Sequence, residues 1–320
     1  MIQLATIGTS IITGHLIDAV GEVPGITLAG VFSRDAARAA TYATQYGATQ
    51  SWSQLTELWS ATSVDAVYIA SPNALHAEQA HAALSAGKHV LVEKPATTNP
   101  ADWDDLVAVA RDRGLVIMEA MRSIHDPGMA AVRSWLPRLG RIRRASFGYA
   151  QRSSRYDHVL AGQQVNIFDP ALGGGALMDL GVYPVSAMVQ LFGVPSSVTG
   201  ARVPISSGTD GAGAAVATYP GLVADISWSK ITASSRECEI AGELGTLTYT
   251  HVTAPRRLTL TLLDGTTETQ VVTAPEWNLR FEVARFVDAI AGADISVDQH
   301  YTQTTLRILG DLSTTAPGSS

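Results

Sequence analysis

The chain has 320 residues, with 22 Lys+Arg against 29 Asp+Glu and a formal net charge of −7; its length predicts two domains, each large enough to bury its own core. At 46% hydrophobic and 16% charged residues it has the composition of compact globules, not of disordered chains. The acidic balance, free of like-charge runs, argues against nucleic acid and membrane surfaces as partners, and the lone cysteine, Cys238, excludes an internal disulfide or multi-cysteine metal centre and fits a cytoplasmic location.

Met1 to Val20 is fairly apolar, but it lacks a basic leader and is interrupted by His15 and Asp18, so it does not read as a signal peptide. No stretch of about 20 apolar residues elsewhere predicts a membrane span. Strand-like runs follow at Ile2 to Ile7, Thr27 to Phe32, Ala66 to Ala70, His89 to Glu93 and Leu115 to Glu119. Helical stretches alternate with them at Ile11 to Val20, Arg34 to Tyr46, Gln54 to Trp59, Ala74 to Ala86 and Pro100 to Arg113, the last with Asn99 as its N-cap. Short apolar strands joined by helices predict a doubly wound parallel sheet over residues 1–122.

From residue 123 to 320 the rhythm changes. A helix is expected over Pro127 to Leu136, a strand over Arg143 to Tyr149, an irregular stretch to Gly175 and a helix over Ala176 to Phe192. Mostly strands follow between Val198 and Val272, with Asp264-Gly265 closing a hairpin. This predicts a second α/β domain on a mostly antiparallel open sheet. Phe281, Ala284, Val287 and Ile290 give a late amphipathic helix over residues 278–291, suited to packing back on the first domain. Ser313 to Ser320 reads as a frayed tail.

Several strand ends carry chemistry. Gly8, Ser10, Ile11 and Ile12 occupy the first strand-to-helix turn, where a dinucleotide fold binds pyrophosphate on exposed helix amides. Ser10 and Thr13 replace two glycines of the strict fingerprint, so the motif is degraded, and a plain turn is the alternative. Ser33 and Arg34 end the second strand; an arginine there accommodates a 2′-phosphate, favouring NADP over NAD, although Asp35 is adjacent and Arg34 could instead be a surface charge. Ser71, Pro72, Asn73 and His76 follow another strand end and can shape a loop under the cofactor. Glu93, Lys94 and Pro95 close a buried strand, and lysine occurs only at 88, 94 and 230; a structural Glu93 to Lys94 ion pair is the alternative.

In the second half, Gly173 to Gly175 precede Asp179 and Tyr183, one turn apart on one helix face. Tyr183 can exchange a carbinol proton if its phenol is acidified by a neighbouring cation; otherwise it is a core tyrosine tied to Asp179. Arg152, Arg155 and Tyr156 in the irregular segment, with Asn166 and Arg122, suit polyol hydroxyls or an anion, surface charge being the alternative. The eight histidines show no metal-site spacing, and no serine-hydrolase elbow is present, so no metal is expected.

Glu93-Lys94-Pro95, Ser71-Pro72-Asn73 and the run Gly173 to Pro184 together resemble the glucose-fructose oxidoreductase and inositol dehydrogenase family, Gfo/Idh/MocA. Glu119 to Pro127 and Arg152 to Asp157 are similar to the dihydrodiol dehydrogenase branch, which implies NADP. The resemblance implies a Rossmann domain, an open-sheet domain that builds a homodimer or higher oligomer, and hydride transfer between a nicotinamide and a secondary alcohol or carbonyl of a sugar, polyol or trans-diol. Carried over, Lys94 is the lysine near nicotinamide and substrate, Asp179 the aspartate of the substrate-side helix, and Tyr183 the acid/base; Glu93, Glu119 and Arg122 fall among the cofactor contacts. Ser10 and Thr13 are the departures. Relatives that hydrolyse glycosides through a transiently used nicotinamide, or that only sense a dinucleotide, mark two other activities for this fold.

Overall fold

The computed structural model describes residues 1–275 and 277–314. They divide into two compact units, residues 1–121 with 279–303, and residues 122–278 with those from 304 on.

The first unit is built on six parallel strands, β1 (Ile2–Ile7), β2 (Ile26–Phe32), β3 (Gln50–Trp52), β4 (Ala66–Ile69), β5 (His89–Glu93) and β6 (Ile117–Ala120), in the order β3-β2-β1-β4-β5-β6. The crossovers run through α1 (Ile11–Glu22), α2 (Ala36–Gln45), α3 (Leu55–Ser60), α4 (His76–Ser85) and α5 (Pro100–Asp112). Strand order reverses between β1 and β4, so the loops leaving those two strands flank the switch point where such sheets bind ligands. The four residues of β4 are all buried, as expected of a strand covered on both faces. Asp35 caps α2 by accepting from the Arg38 amide, and Asn99 caps α5 by accepting from that of Ala101. Residues 279–303 group with this unit because Leu279, Val283 and Phe286 of α9 (Leu279–Ile290) are buried in one cluster with Leu16, Ala19 and Val20 of α1.

The second unit carries eight strands in the order β14-β13-β12-β11-β7-β10-β9-β8: β7 (Ile142–Ala150), β8 (Ser197–Pro204), β9 (Asp210–Tyr219), β10 (Leu222–Ser229), β11 (Cys238–Gly242), β12 (Gly245–Tyr249), β13 (Arg257–Leu262) and β14 (Thr267–Val271). All neighbours are antiparallel except β7 and β10. The unit also holds α6 (Pro127–Trp135), α7 (Tyr156–Leu160) and α8 (Val182–Phe192). The expected α/β architecture, a Rossmann sheet followed by a mostly antiparallel one, is what the chain adopts.

Four local expectations need correction. Gln50–Trp52 is a strand, too short to show a period. The helix expected over residues 176–192 begins as a π-helical turn, Leu177–Gly181, before continuing as α8. Residues 170–192 are long and apolar enough to cross a membrane, contrary to the sequence count, but 78% of the qualifying window is buried inside the protein, as for a core helix. Finally, α10 (Ser296–Thr314) was not foreseen; it takes in Ser313 and Thr314 of the expected tail, whose remaining residues, 315–320, lie outside the described residues.

Candidate active site

In the first unit the turn from β1 into α1 is made by Gly8, at φ +117°, where a Cβ would stand 2.7 Å from the Ala70 carbonyl oxygen; only glycine fits. Ser10 occupies the N-cap position, and its hydroxyl is 3.1 Å from that of Thr13, which is buried. The two residues that replace glycines therefore satisfy each other. Gly14 provides the close approach instead, because a Cβ there would run into the Tyr46 hydroxyl of the chain just beyond α2. Tyr42 donates to the Ser10 carbonyl at 3.0 Å, and Arg38 donates to that of Thr9 at 3.0 Å. Ile11 is exposed and Ile12 half-buried at the first turn of α1. Arg34 lies exposed after β2, while neighbouring Asp35 is engaged as the α2 cap and Ser33 accepts from the Asp35 amide at 3.3 Å.

The loops after β4 and β5 are joined through His76. Its Nδ1 is 3.0 Å from the Pro95 carbonyl and its Nε2 2.9 Å from that of Ser71. Burial, aided by the Lys94 charge, holds the imidazole below its ordinary 6.5, and in the neutral ring only one of these contacts is a donated hydrogen bond. Ser71 donates to Gln79, and Asn73 opens a short 3-10 turn after Pro72. Glu93 accepts from the Tyr68 hydroxyl and, at 3.2 Å, from the Lys94 amide. Glu119 accepts from the Ala96 amide at 2.9 Å and from the Thr302 hydroxyl at 3.1 Å; burial pushes its carboxyl up to about 7. His76, Glu93 and Glu119, expected at the cofactor, are buried and hold the backbone at Pro95, Lys94 and Ala96 respectively, with Lys94 itself half-buried. They act on the loop that carries the lysine, which is joined to Pro95 by a cis peptide.

In the second unit Gly173 and Gly175 take positive φ ahead of the π turn. Buried Asp210 accepts from the Leu177 amide and the Trp228 indole, each at 2.8 Å, fixing where the turn begins. A π turn takes up an extra residue, so Asp179 and Tyr183 remain about one turn apart without the α-helical geometry expected. The Asp179 carboxylate pairs with the Lys230 ammonium, the side chains being 32% and 9% exposed. Lys230 was not singled out as a site residue; its rarity and its place just beyond β10 were the available signals. Tyr183 is buried, its ring 5.6 Å from that of Tyr149, with the Arg122 guanidinium 5.6 Å from its centroid.

Arg122 also donates to Asn278 and to Thr253, each at 3.1 Å, and lies over the Trp277 ring. It lines a cavity of about 530 Å³ together with Tyr149, Gln151, His251, Arg256 and Trp277. Other expected substrate residues are drawn elsewhere: Arg152 pairs with Asp157 at 2.6 Å and lies over the Tyr156 ring, which packs on Phe168. Arg155 and Asn166 are exposed. Among the described residues no group of three or more acidic, histidine or cysteine side chains is placed to hold a metal ion.

Residues 2–121 match the Gfo/Idh/MocA oxidoreductase family with its NAD-binding Rossmann fold, and residues 135–248 match the Gfo/Idh/MocA C-terminal domain. The chain is 36% identical over 306 residues to scyllo-inositol 2-dehydrogenase (NADP(+)) IolU of Bacillus subtilis, covering 96% of this chain and 93% of that protein. It is 29% identical over 248 residues to trans-1,2-dihydrobenzene-1,2-diol dehydrogenase of Oryctolagus cuniculus, covering 75% and 72%. Among solved structures, KijD10, a 3-ketoreductase from Actinomadura kijaniata in complex with TDP-benzene and NADP, superposes with a TM-score of 0.86 at 26% identity, covering 99% and 98% of the two chains. With both domains matched in order and a full-length relative above one-third identity, the chain belongs to the Gfo/Idh/MocA family of oxidoreductases.

Proposed function

We propose that the protein is an NADP-dependent dehydrogenase or reductase acting on a secondary alcohol or its carbonyl in a sugar, polyol or trans-diol. The observation that carries this reading is the surroundings of Tyr183: a buried phenol under the Arg122 guanidinium, one turn from a carboxylate already paired with Lys230. A phenol held beside a cation and a paired carboxylate is the kind of group that exchanges a carbinol proton.

The β1–α1 turn fits a dinucleotide diphosphate, because the bare Gly8 Cα leaves the first amides of α1 open to an anion and Ser10 and Thr13 satisfy one another. Gly8, Ser10, Ile11 and Ile12 would hold that diphosphate, with Ser71, Pro72 and Asn73 at the neighbouring strand end. Arg34 would hold the 2′-phosphate of NADP, since Asp35, the acid that would otherwise favour NAD, caps α2. Bound NADP supplies the acceptor or donor of hydride. In oxidation Tyr183 takes the hydroxyl proton at its phenolic oxygen. Lys94 orients that hydroxyl and stabilises negative charge on oxygen, and Asp179 accepts a hydrogen bond from a further substrate hydroxyl. In reduction the proton returns by the same route.

The proposed setting is a cytoplasmic homodimer or higher oligomer formed through the second sheet, whose adjacent strands β8, β9 and β10 carry solvent-exposed Val203, Val216 and Val223. Light scattering checks the assembly. The function is tested with Tyr183→Phe. Turnover of NADP with the best alcohol should fall by about 10² or more, with NADP affinity by calorimetry retained; undiminished turnover refutes the assignment.

A further inference from the structure

The cavity beside Tyr149 and Trp277, of about 530 Å³, falls in the range of roughly 300–1,000 Å³ that encloses small ligands. Two arginines stand in its wall, and each of their terminal nitrogens has a partner there. Arg256 binds both oxygens of fully buried Asp126, at 2.8 and 2.9 Å, and donates to the Pro255 and Pro275 carbonyls. Arg122 donates to Asn278 and Thr253 and lies over the Tyr183 and Trp277 rings. The donors left to a ligand are on neutral side chains.

His251 is one of them. It lies just beyond β12 and is the one non-glycine residue with positive φ among the described residues, at +33°. Backbone of this kind gathers where a side chain must be aimed at a ligand. The turn brings Nδ1 to 3.4 Å from the Thr253 amide and 2.8 Å from the Thr253 hydroxyl. An amide can only donate, so Nδ1 accepts. The same hydroxyl accepts from Arg122 at 3.1 Å and has its own proton to give to the ring. Partial burial, with the Arg122 charge adding to it, holds the imidazole below its ordinary 6.5. The ring is therefore neutral near physiological pH, with its single proton on Nε2. Nε2 has no hydrogen-bond partner among the described residues, and the ring lines the cavity.

Gln151 is the other. The Tyr149 hydroxyl donates to its side-chain oxygen at 3.1 Å, which leaves the two amide hydrogens for another acceptor. Tyr149 organises both donors, because its ring also meets His251 edge-on at 4.7 Å and lies 5.6 Å from the Tyr183 ring. A substrate that reacts at Tyr183 and lies along Tyr149 presents its remaining oxygens to these two N–H groups.

We propose that His251 is a specificity-determining residue: its Nε2–H, with the Gln151 carboxamide, donates to substrate oxygens other than the one that Tyr183 deprotonates. A ring bearing many hydroxyls is thereby selected over a ring bearing only the reacting pair, since a site built to hydrogen-bond a hydroxyl rejects the analogue that lacks it. The inference rests on the oxidoreductase reading for the chemistry at Tyr183, but its binding test is separate from turnover.

The probes are scyllo-inositol, D-glucose and trans-1,2-cyclohexanediol, which keeps a six-membered ring and two adjacent hydroxyls and lacks the rest. Each is titrated by calorimetry into protein saturated with NADPH, where an alcohol cannot be oxidised, and then assayed for reduction of NADP. At least one of the two polyols should bind about tenfold or more tightly than the diol. His251→Asn should lower that preference by about tenfold and, in turnover, raise KM more than it lowers kcat. Asparagine tolerates positive φ and can accept from the Thr253 amide as an Asx turn, so the loop and the melting temperature are kept while the donor is withdrawn. His251→Gln, whose amide reaches farther, should restore most of the preference. Should the asparagine variant fail to fold, Gln151→Ala removes the companion donor and should lower the preference in the same sense. Wild-type protein that binds all three probes alike or none of them, an equal loss for polyol and diol, or a preference unaltered in both His251→Asn and Gln151→Ala overturns the proposal. If the probes are oxidised without discrimination, this inference fails and the oxidoreductase reading stands. If discrimination depends on His251 but no probe turns over, the specificity site stands and that reading fails.

Discussion

Replacing Glu119 with Gln should stabilise the protein at alkaline pH and leave it nearly unchanged at acidic pH. Glu119 is buried on β6, where its two oxygens accept from the Ala96 amide and the Thr302 hydroxyl. Burial is the leading cause that raises its carboxyl from 4.5 to about 7, with the Glu93 charge adding to it and the Lys94 charge opposing. The folded chain therefore holds this proton more tightly than the unfolded one. The stabilisation is complete below the unfolded value of 4.5 and is lost as pH rises through about 7. At about 1.4 kcal/mol per pH unit the full effect is about 3 kcal/mol, of which about 2.5 kcal/mol falls between roughly pH 5 and 8.5. Glutamine cannot ionise, yet its oxygen can accept from Ala96 and its amide can donate to the Thr302 oxygen. Urea unfolding of both proteins from about pH 5 to 8.5 isolates the effect, since the other titrating groups contribute to both curves. Glu119→Gln should gain about 2–3 kcal/mol over the wild type across that range. A stability difference that stays constant with pH, or a variant less stable at the alkaline end, would falsify the account of Glu119.

Lys230→Met removes the ammonium from Asp179 and should lower kcat/KM by about 10- to 100-fold and stability by about 1–3 kcal/mol; Lys230→Arg should recover more than half of the activity, and an unaltered rate in the methionine variant would exclude the pairing from the reaction. Gly14→Ala should destabilise by about 1–3 kcal/mol through overpacking against Tyr46. Adding Tyr46→Phe should return most of that loss, because the hydroxyl is the atom struck; equal melting temperatures for the single and double variants would count against the clash. Arg34→Gln should weaken NADP by about tenfold or more while moving NAD by less than about twofold; calorimetry that finds the same loss for both dinucleotides would remove Arg34 from the 2′-phosphate site.

Much of the first unit was legible because a strand covered on both faces needs several apolar residues in succession, and the runs at β1, β2, β4 and β5 have them. The elements that escaped lacked that signal. β3 has three residues, none of them buried. α10 is buried through Thr302, Thr304 and Thr305 as well as Leu306, Ile308, Leu309 and Leu312, and threonines do not register in an apolar period. The site divides along the same line. Residues at strand ends, such as Gly8, Arg34 and Lys94, stand in sequence patterns that carry a local meaning. Lys230 meets Asp179 from 51 residues away, and Arg256 meets Asp126 from 130, so no spacing could announce either pair.

The glycine turn shows how far a local motif can mislead when its residues are judged one at a time. Taken singly, Ser10 and Thr13 are two lost glycines. In the folded chain they lie three apart at a helix entry, close enough for the hydroxyls to bond at 3.1 Å, so neither polar group has to be left unsatisfied beside the turn. The tight turn that a diphosphate requires is kept by Gly8, and the close packing between helix and neighbouring chain by Gly14. Conformational demands fall on those two positions, and the two between them are free to vary as a pair. A single Thr13→Val change tests this coupling better than restoring glycine would. It keeps the buried volume, removes the partner of Ser10, and should cost about 0.5–1.5 kcal/mol in urea unfolding, a loss that should largely disappear when Ser10 is already alanine.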